Sequence, residues 1–343
     1  MPVRLSRRQF ALTSLALGSS LVVRPVDAAT ARPYPAVIPG TGIRVARTGD
    51  DFEAEDWAYY PNHPKSSYNL DDEIREPGSS SKNYLWAEGA KRGTPDVVKR
   101  VATPAGGPEG SKGAMLIQTL RSGIPGQLSY QQQQDDLLHN TQAMAGTIPV
   151  SWSPNCVCRV YVPPTKYWEQ RDGATFGYRT GLVGWTPDGN DEYWPGIFLH
   201  MERKLKDKER VFQVRAWIRA DNGGRDYPSK TFEPESWITM GISHTPDGAV
   251  HFFIRPDLED LTKEDCVGSY WCYGYRAHTF QTFFFNVINM DDGRSVSTPW
   301  IVDNAFLYAA TPPANKVRMA GGPPKPAETQ AQKGQAAAPT TTR

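Results

Sequence analysis

Residues 237–256 read as a β-hairpin. Trp237-Ile-Thr-Met-Gly-Ile-Ser-His and Ala249-Val-His-Phe-Phe-Ile-Arg-Pro are two strand-like arms, and Thr245-Pro246-Asp247-Gly248 joins them. Proline fixes φ, aspartate accepts hydrogen bonds from its own turn, and glycine takes the positive φ that a tight reversal needs. An isolated hairpin is marginal in water, so this one requires further strands to cover its apolar face. The rest of the chain supplies them. Strand-like runs separated by turn residues occur at 51–59, 113–120, 156–162, 177–184, 197–204, 211–220, 280–290 and 300–308. Short helices are expected at 96–100 and 132–142. About ten strands with no long helical period imply two packed antiparallel sheets, an all-β sandwich with long loops.

Composition narrows the class. Thirty glycines, 29 prolines and 10 Trp, 15 Tyr and 13 Phe in 343 residues suit a loop-rich β protein rather than a coiled coil. Beyond the N-terminus there is no apolar run of the roughly 20 residues that span a bilayer, which excludes an integral membrane protein with helical spans.

Residues 1–31 combine a basic start, an apolar stretch from Ala11 to Val23 and small residues before candidate cleavage points after Ala28 or Ala31. Ser6-Arg7-Arg8-Gln9-Phe10 resembles a twin-arginine export signal, departing from it at Ala11 and Leu12. The resemblance implies folding in the cytoplasm and then export to the periplasm or the exterior. Without Arg4, Arg7, Arg8, Arg24 and Asp27 the chain keeps 34 basic and 36 acidic residues. Residues 311–343 hold Lys316, Arg318, Lys325, Lys333 and Arg343 against Glu328 alone, so residues 32–310 carry 29 basic and 35 acidic groups. No positive field remains to displace counterions from phosphates, and nucleic acid is excluded as a partner. The expected organisation is a signal at 1–31, an extended linker at 32–44, the sandwich at 45–310 and a disordered tail at 311–343.

Four cysteines in an exported chain suggest disulfides. Cys156 and Cys158 share one face of a strand and would meet Cys266 or Cys272, or those two would close their own loop. C-x-C with C-x5-C is not a usual zinc-knuckle spacing.

Three stretches, Asp51-Phe52-Glu53 with Trp57, the Gly113 to Thr119 strand, and Trp300 to Tyr308, resemble the concanavalin A-like jelly roll of lectins, glucanases and polysaccharide lyases. The resemblance implies that the first and last strands pair. It also implies a structural calcium near them, at Glu53 and Asp303; no cofactor is required. A second oxygen-rich turn holds Asp188, Asn190 and Glu192.

Alternation places Ile197, Leu199 and Met201 on the core side of one strand and Phe198, His200 and Glu202 opposite. In the next strand Phe212, Val214, Ala216 and Ile218 face the core, while Gln213, Arg215, Trp217 and Arg219 face away. Aromatic, guanidinium and amide groups on one sheet surface suit a glycan, through stacking on C–H faces, pairing with carboxylates and bonding of hydroxyls. The same pattern also describes an ordinary solvated sheet face. The segment 266–278 concentrates Tyr270, Trp271, Tyr273, Tyr275, Arg276 and His278, either as a sugar-stacking loop or as an aromatic plug.

The expected function is glycan binding, with Glu202, Gln213, Arg215, Trp217, Arg219, Trp271 and Arg276 touching the sugar. The enzymatic alternative is a polysaccharide lyase in which His200, Tyr273 or Tyr275 takes the C5 proton of a uronate whose carboxylate Arg215, Arg219 and Gln213 neutralise. A structural or adhesive envelope role is the third reading. Hydrolysis by the routes of E-x-D-x-x-E, G-x-S-x-G, a Walker loop or H-E-x-x-H is disfavoured, since these motifs are absent; the R-x-E-x-R and Q-x-H strands of one alginate lyase class are absent too.

Overall fold

The computed structural model describes residues 34–75, 78–206 and 209–313. The export signal and residues 314–343 of the expected tail therefore lie outside the described residues. Nineteen strands and two short α-helices follow one another in the described part: β1 (Ile43–Arg44), β2 (Tyr59–Tyr60), α1 (Tyr68–Asp71), β3 (Ser80–Ser81), β4 (Trp86–Glu88), β5 (Val97–Ala102), β6 (Gly113–Gln118), β7 (Gln132–His139), α2 (Thr141–Ala145), β8 (Ile148–Pro149), β9 (Pro154–Val162), β10 (Gly173–Thr186), β11 (Gly189–Tyr193), β12 (Gly196–Lys206), β13 (Glu209–Arg219), β14 (Tyr227–Phe232), β15 (Ser236–His244), β16 (Val250–Arg255), β17 (Cys266–Tyr270), β18 (Arg276–Met290) and β19 (Trp300–Ala309).

They form two antiparallel sheets of a jelly-roll sandwich. The smaller runs β17-β16-β15-β9-β19-β6-β5, with β1 on β19; the larger runs β14-β13-β12-β10-β18-β7-β4-β3-β2, with β11 on β10 and β8 on β18. First and last strands pair as expected, Ile43 opposite Ala309. Residues ahead of β1 are tied to the smaller sheet: Ser243 Oγ donates to the Val37 carbonyl at 2.5 Å and Gly40 N to Asn155 Oδ1 at 2.8 Å. No described helix is long and apolar enough to cross a membrane.

The core between the sheets is built from the inward residues of β10, β12, β13 and β18 against those of β9, β15, β16 and β19. Phe285 is its centre, stacked on Trp86 (5.3 Å), Tyr178 (5.5 Å) and Phe176 (5.7 Å), with Trp300 beyond Phe176 at 5.2 Å. Each fully buried ring of this kind contributes roughly 1.5–3 kcal/mol through lost apolar surface.

Several local expectations are corrected. Residues 96–100 do not form a helix: β5 pairs along its length with β6, Val97 opposite Gln118. The segment 132–142 is a strand through His139, with only the five-residue α2 behind it. Its glutamines and aspartates have poor β-propensity, yet β18 and β4 flank it on both sides and their ladders decide its state. Of 51–59 only Tyr59 enters a strand; Phe52 instead turns inward at φ 57° and is fully buried.

No disulfide joins the four cysteines. Cys156 and Cys158 project from β9 into the core, both fully buried beside Tyr178. Cys266 lies on β17, three strands away in the same sheet, roughly 14 Å at normal strand spacing and well past bonding reach.

Candidate functional site

The outer face of the larger sheet gathers the polar side chains. β12 and β13 pair so that Phe198 faces Trp217, His200 faces Arg215 and Glu202 faces Gln213. Alternation along β13 is regular: Val214, Ala216 and Ile218 are buried, while Gln213, Arg215, Trp217 and Arg219 are half-buried. His200 stacks on Trp217, with centroids 5.1 Å apart and planes at 20°. Glu202 ties the lower end together, accepting from Gln213 Nε2 at 2.8 Å and from Trp217 Nε1 at 3.4 Å. Arg215 Nε stands 3.4 Å from Glu202 Oε2 without hydrogen-bond geometry, and this buried donor has no hydrogen-bond partner among the described residues.

Phe198 departs from expectation by being buried on the outer face. Two guanidinium groups cover it, Arg219 at 4.6 Å and Arg179 at 5.3 Å from its centroid, and Arg179 also lies over Phe284. Asp226 holds Arg219 at 2.7 Å, and the Trp194 carbonyl holds Arg179 Nη2 at 2.6 Å. Burial, then the like charge of Arg219, pushes Arg179 down to about 10.

Sequence reasoning missed the next residues of this face, contributed by β7, β10 and β18. Asp136 lies opposite Asn286, which lies opposite Gly177. Asp136 Oδ1 accepts from Asn286 Nδ2 at 2.6 Å and from Gln134 Nε2 at 2.9 Å. Burial raises its pKa against the opposing charges of Arg92 and Arg179. Asn286 Oδ1 is buried with no hydrogen-bond partner among the described residues. Gly177 is required here, because a Cβ on it would sit 2.6 Å from that oxygen and 3.0 Å from Phe198. Arg179 and Asn286 sit in apolar runs that read as buried strand, so only the order of strands reveals that they converge.

Tyr273 reaches the same neighbourhood. Its backbone is left-handed (φ 60°, ψ 12°), unusual for a bulky residue. Its amide donates to the Asp221 carbonyl at 3.1 Å. Burial raises the Tyr273 phenol, opposed by the charges of Arg179 and Arg219. His200 is pushed down to about 4, by burial first and then by Arg219. Neutral imidazole and neutral phenol thus share one guanidinium neighbour. Tyr275 packs beside Tyr273, ring centroids 5.8 Å apart, and both rings stand edge-on to the buried Tyr193, Tyr275 at 5.4 Å and Tyr273 at 6.3 Å. Trp271 and Arg276 point elsewhere: Trp271 Nε1 donates to the Asp247 carbonyl in the β15–β16 turn, and the Arg276 guanidinium lies 3.3 Å over the Trp271 ring.

Glu53 and Asp303 do come together, sharing the Ser111 hydroxyl at 3.0 and 2.8 Å. Glu53 Oε1 is already filled by that hydroxyl and the amides of Lys112 and Gly113. Calcium takes six to eight oxygens, and the described residues gather no three His, Cys, Asp or Glu side chains suited to a metal. The second turn does not fit either: Asn190 pairs with His278, and Glu192 with Lys91 and Gln281.

No protein-family model matches the chain, and no curated protein does. Among solved structures it is similar to a carbohydrate esterase of the Shiga toxin-encoding bacteriophage phi24B, at 12% identity over 72% of this chain and 97% of that one, with a TM-score of 0.40. An endo-β-1,4-glucuronan lyase of the fungus Trichoderma reesei aligns at 10% identity over 77% and 95%, with a TM-score of 0.38. An alginate lyase of Pseudomonas aeruginosa aligns at 8% identity over 62% and 86%, with a TM-score of 0.34. Likenesses of this extent carry no argument about what this chain binds.

Proposed function

We propose that this is an exported protein that binds an anionic glycan across the outer face of its larger sheet. One observation carries the reading: that face holds a buried donor, Arg215 Nε, and a buried acceptor, Asn286 Oδ1, neither with a hydrogen-bond partner among the described residues. Orphaned buried polar atoms are rare in native proteins, and two on one surface mark groups that a ligand or an ordered water completes. The neighbours define that ligand. Arg215 and Arg219 suit a carboxylate, the stacked His200 and Trp217 offer an apolar platform, and Gln213, Asn286 and Asp136 offer amide and carboxyl groups to hydroxyls. The order of charge and apolarity in residues 1–31 supports export. Titrating the full chain with uronic acid polysaccharides tests the reading: binding should weaken about tenfold or more in Arg215→Ala and Trp217→Ala, a loss of at least ~1.4 kcal/mol each. Indifference to both substitutions, or no binding of any polyuronate, refutes it.

The second reading, β-elimination at the same face, is favoured by the paired environments of His200 and Tyr273. Neutral His200 would take the C5 proton, the electron pair would form the C4–C5 double bond, and the bridging oxygen would leave with a proton from Tyr273. A uronate docked on Arg215 and Arg219 would cancel part of the repulsion that holds His200 low, strengthening the base when substrate is present. Ultraviolet absorbance from an unsaturated uronate reports this directly. Its absence with every polyuronate that binds leaves glycan binding and removes catalysis.

A further inference from the structure

Six residues along β10 from Arg179, roughly 20 Å at strand rise, the sheet ends in a small cavity of about 290 Å³. Its surroundings are unusual for a surface dimple. Trp185 is 60% exposed, its ring tilted against His278 at 5.1 Å, and His278 Nε2 is 3.1 Å from Asn190 Oδ1. Arg276, also in the wall, lies flat on Trp271. The remaining wall includes Asp247, from the turn between β15 and β16. One of its oxygens accepts from Thr245 Oγ1 at 2.6 Å; the other, Oδ2, is buried with no hydrogen-bond partner among the described residues. That turn cannot drift from the cavity. Gly248 (φ 78°) is pressed so closely on β18 that a Cβ would stand 2.7 Å from the Ala277 amide nitrogen.

We propose that this cavity is a second saccharide site, which takes one neutral hexopyranose unit. An exposed indole flanked by a tilted histidine gives an apolar plane for the C–H face of a pyranose. The orphaned carboxylate oxygen accepts a sugar hydroxyl, a charge-assisted bond that also relieves its own burial. Arg276, flattened on Trp271, presents its N–H edge to ring and hydroxyl oxygens. Asp247 and Arg276 bring opposite charges to the wall, so the site has no net charge to favour a uronate, whereas the outer face around Arg215 favours acidic sugars. A cation is a poorer occupant, because no cluster of three metal-ligating side chains occurs among the described residues. The site does not depend on the function proposed for the outer face.

The test titrates the full chain with methyl glycosides of glucose, galactose and mannose, and with methyl glucuronide, following tryptophan fluorescence and heat. At least one neutral glycoside should bind in the millimolar range, and Trp185→Ala and Asp247→Asn should each weaken it about tenfold. Trp185→Phe, which keeps a stacking ring, should retain binding within about threefold. Arg215→Ala should leave it unchanged. The proposal is overturned if no neutral glycoside binds, if the glucuronide binds better, if Trp185→Ala and Asp247→Asn have no effect, or if Arg215→Ala abolishes binding. Circular dichroism of each variant separates lost binding from lost fold; should Asp247→Asn unfold the turn, the exposed Trp185 pair decides alone.

Discussion

Lys65 offers a quantitative test away from either sugar site. It is 6% exposed, and its ammonium group meets two carboxylates, Asp135 at 2.6 Å and Asp96 at 2.9 Å, with the Arg121 carbonyl also at 2.6 Å. One cation cannot hold two buried anions. Asp96 is partly buried, which alone would raise it, but Lys65 and the amides of Arg121 and Leu120 keep it below its usual value. Asp135 is enclosed; burial outweighs Lys65 and Thr119 and pushes it up to about 7 from 3.8. A shift of this size corresponds to about 4 kcal/mol, taken as an upper bound. The folded state binds the proton more tightly than the unfolded chain, so the contribution is fully present below pH ~4 and is lost as pH rises from there through about 7. Asp135→Asn keeps the shape of the protonated carboxyl without its titration. Urea denaturation of both proteins should give stabilities within about 1 kcal/mol of each other at pH 4, whereas at pH 8 the variant should be the more stable by about 2–4 kcal/mol. Using the difference removes His139 and His244, whose burial pushes them down to about 3 and 4 and gives the opposite slope. A difference independent of pH, or a variant less stable at pH 8, would show that Asp135 is ionised throughout and that the accounting for the triad is wrong.

Three other outcomes follow from the same geometry. Removing the cation that weighs most on the imidazole, Arg219→Gln, should raise the His200 titration from about 4, since a cation beside it disfavours imidazolium; an unmoved NMR titration would separate the two residues. Trp86→Ala should cost about 3–5 kcal/mol in denaturant unfolding, because the ring is fully buried between Phe52 and Phe285; a loss below about 1 kcal/mol would deny its place in the core. Ending the chain after Pro313 should move the unfolding midpoint by under about 2 °C, as residues 314–343 contain no aromatic side chain to bury; a larger fall would show that they dock on the sandwich.

The strands that were legible are those whose own residues decide their state. β12 and β13 alternate so regularly that their two faces could be assigned from residue order, and the hairpin of β15 and β16 announced itself through one Pro-Asp-Gly turn. β7 and β5 were not legible for the opposite reason. Five glutamine and aspartate residues and a Lys-Arg pair are poor strand formers alone, and they become strands because the edges of β18, β4 and β6 are there to pair with. The disulfide expectation failed similarly. Spacing puts Cys156 and Cys158 on one face but does not reveal that this face is the core.

The candidate site divides along the same line. His200, Glu202, Gln213, Arg215, Trp217 and Arg219 lie on strands adjacent in both sequence and sheet, so local alternation suffices to bring them together. Asp136, Arg179 and Asn286 meet only because β7, β18 and β10 are neighbours, an order that skips more than a hundred residues between β7 and β18. Their significance lies in what they lack as well as in what they touch. Asn286 Oδ1, Arg215 Nε and Asp247 Oδ2 are buried without hydrogen-bond partners among the described residues, and this deficit has no counterpart in residue order. Residue type alone assigned Trp271 and Arg276 to the same sugar as His200. Their stacking on each other beside the Asp247 turn, together with the cavity between Arg276 and Trp185, supports two recognition surfaces of different charge preference. A glycan that alternates acidic and neutral units could engage both surfaces along one chain, and its affinity should then exceed that of either unit by an effective-concentration term that the single-site variants would abolish.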